Sequence, residues 1–453
     1  MGKVACIGGG GVRTPLVVFG INECAGRLGV DEIALYDPDP MRVRTMVALG
    51  QAVVQRDGGA LRVREATSLQ DAVEGADFVL NSIRVGGIAG RARDERTAIE
   101  HGYPGQETTG PAGMAMALRT VPVAVEQAHA VHHFAPKAWL INFTNPAGLV
   151  TQAILQHTEA RAVGICDTPS EMLHRIAIAL AAHPAEVHCE YLGLNHLGWV
   201  RKVELRGDDV TDRLLADDAL LDLLYPAPMF DHELIRSLRL IPTEYLYFYY
   251  SRGRALANQL ALGSTRGTEV GRLNDDLFRR LESLLAERDG QEALAAYSEY
   301  LNLRSGSYMQ LESSGEGGGK KNADVHEDPF RAANGYHRIA LDVMTALRGV
   351  EKRRLIVNVP NRGAIDGMDE NDVVEVPCSI GSDTIAPEPC GPLPCEVRGL
   401  VLAVKEYEKA TIEAAITGSQ RMARKAMLLY PPIGEWEPSE TLLRDLHFGE
   451  PAL

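Results

Sequence analysis

No apolar run in this 453-residue chain approaches the roughly 18 residues that a membrane-spanning helix needs, which excludes a transmembrane anchor. The opening MGKVACIGGGG lacks the zones of a secretory signal peptide. A strand beginning almost at residue 3 leaves no room for a cleaved leader, so a cytoplasmic location is expected. Cysteine is scarce and odd in number: Cys6, Cys24, Cys166, Cys189, Cys378, Cys390 and Cys395 are scattered, as reduced thiols are rather than a disulfide framework. Cys390 and Cys395 have the look of a zinc half-site, but no second pair accompanies them, and ordinary thiols in a Pro/Gly-rich loop are expected. Positive charge is also deficient, with 46 Lys+Arg against 61 Asp+Glu and a net charge of −15. That argues against nucleic acid as a partner. An anionic small molecule is not excluded, because it needs only a local cluster of Arg and Lys. No internal repeat is present.

The 45% hydrophobic content is enough for a large core, and the length points to two domains, 1–168 and 169–453. The first third alternates short apolar runs with helical periodicity, the pattern of a doubly wound parallel sheet. Strands are expected at 4–8, 32–36, 77–83, 138–143 and 162–166, with helices near 14–28, from Pro40, and near 111–134 and 147–157. Beyond about residue 170 the pattern becomes mixed α+β. VHCEYLGLNHLGWVRKVEL (187–205) reads as two antiparallel strands turning about Asn195-His196. Helices are expected near 211–225, 264–287, 290–303, 333–348 and 394–430, and a strand pair at 353–359 and 372–378. SSGEGGGKKN (313–322) reads as a surface loop.

Gly8, Gly9, Gly10 and Gly11 fall between a strand and a helix, where glycines let backbone amides approach a pyrophosphate. Asp37 ends the second strand, placed to accept from ribose hydroxyls, which favours NAD over NADP. Arg13 stands where the last glycine of the fingerprint belongs. The expected fold class is therefore α/β, an N-terminal Rossmann NAD-binding domain followed by a mixed α+β domain, like lactate or malate dehydrogenase. Cys166 and His196 each follow a short apolar run, and a thiolate and an imidazole delivered from two strand ends are a donor pair for a divalent transition metal. Asp167 is either an acid or the cap of a helix starting at TPSEM (168–172). Of Tyr245, Tyr247, Tyr249 and Tyr250, spacing favours none. His337 shares a helix side with Leu341 and reads as an ordinary buried histidine.

Taken in order, IGGGGVRTP, LYDPD, SIRVGG, GQETTGPAG, NFTNPAG, GICDTP and GLNHLGW resemble the family 4 glycoside hydrolases from residue 4 to about 430. The resemblance implies NAD- and Mn²⁺-dependent hydrolysis of 6-phospho-glycosides, outside the usual two-carboxylate scheme. It implies that Cys166 and His196 bind the metal together with substrate hydroxyls. Oxidation at C3 of the sugar acidifies C2, the residue matching Tyr245 removes the C2 proton, and the aglycone leaves by elimination. Water addition and re-reduction then regenerate the cofactor. Asp167 matches the acid proposed in α-specific members, as GLNHLGW and SIRVG also suggest, whereas GQETTGPAG and NFTNPAG look closer to the β type; the reading leans to 6-phospho-β-glucosidase. Arg84, Arg91 and Arg266 are expected to bind the phosphate, and Glu107, Asn145 and Asn195 the sugar. The family implies a homodimer or homotetramer. The alternatives are an α-specific, galactosidase or glucuronidase member of the family, an NAD-dependent 2-hydroxy acid dehydrogenase, and a non-catalytic NAD/phosphosugar sensor.

Overall fold

The computed structural model describes residues 2–287, 289–306, 328–331 and 335–446. The glycine-rich stretch 313–322 lies outside the described residues. Six strands form a parallel sheet: β1 (Gly2–Ile7), β2 (Val30–Tyr36), β3 (Arg62–Glu65), β4 (Phe78–Asn81), β5 (Trp139–Asn142) and β6 (Arg161–Gly164), in the order β3-β2-β1-β4-β5-β6. The central strands β1 and β4 are buried on both faces almost throughout, as near-continuous runs such as VACI and FVLN require. Between the six strands run α1 (Thr14–Leu28), α2 (Pro40–Arg56), α3 (Leu69–Val73), α4 (Gly87–Glu100), α5 (Gly110–Phe134) and α6 (Ala147–His157), and α7 (Thr168–Ala179) follows β6. Asp39 caps α2 by accepting the amides of Met41 and Arg42, with Pro40 at the first helical position. No side chain caps α1, which begins straight out of the glycine turn. The chain order reverses between β1 and β4, and there the carboxyl ends of the strands open a crevice.

The strand pair expected at 353–359 and 372–378 forms as Arg353–Pro360 and Val373–Gly381, antiparallel with Leu355 opposite Cys378. It does not make a separate sheet. Asn358 pairs with Gly164 of β6, so the parallel sheet continues through these strands to Thr384–Pro387 and reaches nine strands. The two halves of the sequence thus share one sheet across the 168/169 position.

The hairpin expected at 187–205 is present as β7 (Val187–Leu194) and β8 (Leu197–Leu205), with Leu194 opposite Leu197 and Asn195-His196 as the turn. Ile241–Pro242 adds to β8, Pro242 opposite Trp199, and so anchors the following tyrosine segment to the hairpin. Two helical patterns are split. The 394–430 pattern becomes Cys395–Thr417 and Gln420–Leu429, broken where Gly418 turns left-handed (φ +68°) and Ser419 caps the next helix. The 211–225 pattern breaks at Asp217, whose carboxylate caps Asp218–Leu221.

Candidate active site

The glycine turn is built by close approach. Gly8 takes φ +87°, and a Cβ there would stand 2.3 Å from the Ser82 carbonyl oxygen. The Gly8 and Gly9 amides both donate to the Tyr36 carbonyl at 2.9 and 2.8 Å, locking the turn to the end of β2. The Gly10 amide donates to Asp37 Oδ2 at 3.1 Å, and the Asp39 amide to Oδ1 at 3.0 Å. Burial pushes the Asp37 carboxyl up, and these two amides oppose the shift. Gly8, Gly10, Gly11 and Asp37 therefore come together at the carboxyl ends of β1 and β2, beside the uncapped start of α1. A tight glycine turn at the start of a helix, with a carboxylate beside it, fits an adenine dinucleotide.

From β6 the chain enters Cys166 and Asp167; from the β7–β8 turn it presents His196, held at φ +61°. Cys166 Sγ and His196 Nε2 stand 3.4 Å apart, and both residues are buried. Burial lowers the imidazole to about 4, against the pull of Glu107 and Asp167. Burial also pushes the Cys166 thiol up, aided by the charges of Glu375 and Asp167. A neutral imidazole and a thiol facing each other are a soft donor pair at a separation one divalent transition ion spans. Among the described residues no cluster of three or more His, Cys, Asp and Glu side chains suits a metal, so further ligands have to come from outside that set.

The structure separates the four tyrosines that spacing could not. The Tyr245 ring stacks on His196, centroids 3.6 Å apart and planes 9° from parallel. Tyr247 accepts from Arg254 Nε at 3.1 Å, and Tyr249 bonds the Tyr430 hydroxyl at 2.9 Å. Tyr250 is the fourth, half-buried. Glu244, beside Tyr245, accepts from the Thr168 hydroxyl at 3.0 Å, and burial raises its carboxyl to about 7.

Asp167 corrects one expectation. It sits at the cap position of α7 but its side chain caps nothing; Oδ2 lies 3.6 Å from Arg13 Nη1 instead. The residue that broke the glycine fingerprint thus reaches across to the Cys-Asp pair.

Two of the three arginines meet a shared carboxylate. Arg84 Nη2 and Arg91 Nη1 both bond Glu107 Oε2, at 2.8 and 2.7 Å, and Arg91 Nε bonds Glu95 at 2.6 Å. Arg91 is 8% exposed and held between two carboxylates, a brace for Glu107 rather than an open anion binder. Burial alone would raise the Glu107 carboxyl, but Arg84 and Arg91 hold it well below the usual range. Arg91 also feels the phenol of Tyr245. Arg266, buried at the start of a helix over Arg266–Ala286, donates to the Arg304 carbonyl at 2.6 Å. Arg304 is itself beside Arg13 and Arg266 electrostatically, so a local cationic group does exist in this acidic protein. Asn145 lies in the turn after β5, before Pro146, whose peptide bond is cis. Asn195 donates to Glu375 Oε1 at 3.0 Å and accepts from the Gly148 amide at 3.4 Å.

Sequence reasoning missed Glu375, Glu244, Gln106, Thr108 and Arg304. Glu375 is buried in Val373–Gly381 and takes bonds from Tyr191, Asn195 and Asn358, with burial raising it to about 7. Cys390 donates to the carbonyls of Tyr191 and Glu388, as an ordinary thiol does, and His337 is buried edge-on to Phe19.

Comparison with known proteins shows the family. The model of the family 4 glycosyl hydrolases matches residues 3–182, and that of the family 4 glycosyl hydrolase C-terminal domain matches residues 191–433. A probable 6-phospho-beta-glucosidase of Bacillus subtilis is 29% identical over 98% of this chain and 94% of its own. The structure of a Thermotoga maritima 6-phospho-beta glucosidase with manganese, NAD+ and glucose-6-phosphate is 27% identical, with a TM-score of 0.80 over 98% of this chain and 97% of that one. A 6-phospho-alpha-glucosidase from gut microorganisms, with NAD and glucose-6-phosphate, is 25% identical with a TM-score of 0.79 over the same shares. Both family models lie along one continuous sheet that carries the glycine turn, Cys166 and Glu375, and the chain belongs to the family 4 glycosyl hydrolases.

Proposed function

We propose that this protein hydrolyses 6-phospho-glucosides, with preference for the β linkage, using NAD⁺ and a divalent metal, Mn²⁺ first among candidates. The observation that carries the reading is Tyr245 stacked on a His196 that faces Cys166, on the side of the sheet where the carboxyl ends of the strands carry the glycine turn. When bound, NAD⁺ supplies reversible oxidation at C3 and the metal supplies Lewis-acid polarisation of the sugar oxygens. Cys166 and His196 hold the metal; Gly8, Gly10, Gly11 and Asp37 hold the cofactor. Tyr245 Oη takes the C2 proton, with Arg91 the fixed cation near that phenol. Asp167 gives a proton to the departing glycosidic oxygen. Arg84 and Arg266 receive the 6-phosphate, Glu107 is braced by Arg91 for a sugar hydroxyl, and Asn145 and Asn195 orient the ring. The β preference follows the Bacillus and Thermotoga relatives, while Asp167 keeps α-linked substrates as the second reading.

The protein is proposed to act in the cytoplasm as a homodimer or homotetramer. All seven cysteines are free, and no helix of the described residues is long and apolar enough to cross a membrane. The test is hydrolysis of paired α- and β-linked nitrophenyl 6-phosphoglucosides and their unphosphorylated forms, with and without NAD⁺ and Mn²⁺. Release that requires both, without net NADH, is expected. Steady NADH formation from a hydroxy acid with no release from any glycoside overturns the reading in favour of a dehydrogenase.

A further inference from the structure

The loop 105–109, between α4 and α5, is held from several sides. The Gln259 side-chain amide bonds both the N–H and the C=O of Gly105, at 2.9 and 2.8 Å, and the Gly110 amide donates to the Tyr430 hydroxyl at 3.0 Å. Inside the loop, Gln106 Oε1 lies 2.7 and 2.8 Å from the backbone amides of Thr108 and Thr109, and 2.8 and 3.1 Å from their hydroxyls. Backbone N–H groups only donate, so the atom that gathers them is the amide oxygen and not the nitrogen.

That assignment propagates. The Thr108 hydroxyl has one proton, and Gln106 Oε1 is an acceptor in line for it. The contact of Thr108 Oγ1 with His196 Nδ1, at 2.8 Å, is then one in which the ring N–H donates and the hydroxyl oxygen accepts. A neutral imidazole protonated at Nδ1 carries its lone pair on Nε2, the nitrogen that faces Cys166 Sγ at 3.4 Å. The Tyr245 stack fixes the plane of the ring, and the Thr108 bond selects which nitrogen points where.

We propose that Thr108, directed by Gln106, is the positioning residue that fixes His196 as the Nδ1–H tautomer and aims Nε2 at the metal position beside Cys166. A hydroxyl thus takes the place of the carboxylate or carbonyl that more often receives the second N–H of a ligating histidine. The inference rests on the metal-dependent reading for its consequence, but not for the tautomer itself.

The test uses protein labelled with ¹⁵N at histidine, with the His196 signals assigned through His196→Asn. In the metal-free wild type, long-range ¹H–¹⁵N correlation is expected to show Nδ1 protonated and Nε2 bare. Thr108→Val is expected to lose or mix that tautomer and to weaken Mn²⁺ binding to the NAD⁺-saturated protein by about 10- to 100-fold. Thr108→Ser is expected to restore both. A wild-type His196 protonated at Nε2 overturns the proposal, as does a folded Thr108→Val protein with unchanged tautomer and Mn²⁺ affinity. The wild-type spectrum decides the matter even if Thr108→Val does not fold. Failure of the wild type to bind Mn²⁺ counts against the proposed function, while the tautomer still decides the role of Thr108.

Discussion

Tyr245 is one of four tyrosines in a six-residue span, and only its contact with His196 distinguishes it. Tyr245→Phe is expected to lower kcat by about 10²- to 10⁴-fold, the range for loss of a general base, with KM changed far less. Tyr250→Phe serves as the control and is expected to leave kcat near wild type; steady-state kinetics on both checks the assignment. Cys166 carries a second consequence. Burial keeps its thiol protonated at neutral pH, and a metal requires the thiolate, so uptake releases a proton. Mn²⁺ affinity is expected to rise by about tenfold per pH unit through the neutral range, and calorimetric titration at several pH values would detect a flat profile if the thiol is not a ligand. At this scale the sequence was legible where a residue type was rare. Cys166 and His196 stand out by their chemistry and strand-end context. Thr108, Glu375 and Glu244 did not, because each acts through partners far along the chain (Thr108 and His196 are 88 residues apart), and Gln106 matters only through Thr108.

Among the elements, the strands and the glycine turn were readable because apolar runs and glycines sit where parallel-sheet geometry needs them. Gly8 makes this measurable. Gly8→Ala forces a Cβ toward the Ser82 carbonyl at a positive φ, so NAD⁺ binding is expected to weaken by at least tenfold and stability to fall by about 1–3 kcal/mol. Fluorescence titration with NAD⁺ and thermal melts check the two effects. The helix Gly87–Glu100 was not readable, for a physical reason. Its buried face carries Arg91, Asp94, Glu95 and Thr97, so polar residues occupy the positions that periodicity expects to be apolar. Arg91 and Glu95 are satisfied by each other and by the loop 105–110, and the Glu95 carboxylate also accepts the Gly267 amide at 2.7 Å. The strand Arg62–Glu65 escaped notice likewise: four residues, RVRE, at the sheet edge.

In the whole molecule the two sequence halves are joined where Asn358 pairs with Gly164, and Asn358 in turn donates to Glu375. Glu375 sits in the antiparallel extension of the sheet and binds Asn195 of the hairpin turn, Tyr191 of β7 and Asn358 of the neighbouring strand. Its folded value near 7 lies above the ordinary 4.5, so the folded protein holds a proton that the unfolded chain releases first. Stability therefore falls as pH rises from about 4.5 to about 7, by at most about 3 kcal/mol for this one group. Glu375→Gln is expected to flatten the wild-type curve in that window; urea unfolding at stepped pH values measures it, and parallel curves would refute the link. The join itself was hidden from the sequence. Strands at 353–359 and 372–378 are legible as a pair, but nothing local states that Asn358 will lie against Gly164.

The Cys166–His196 pair has a consequence for how ligands assemble. With two donors from the described chain, an ion held there keeps positions open to whatever occupies the cleft. If sugar hydroxyls fill them, ion and sugar bind cooperatively across a shared bond, and linkage makes the effect reciprocal. Whatever factor the sugar contributes to retention of the ion, the ion returns to retention of the sugar, so neither dissociation constant is a fixed property of the protein.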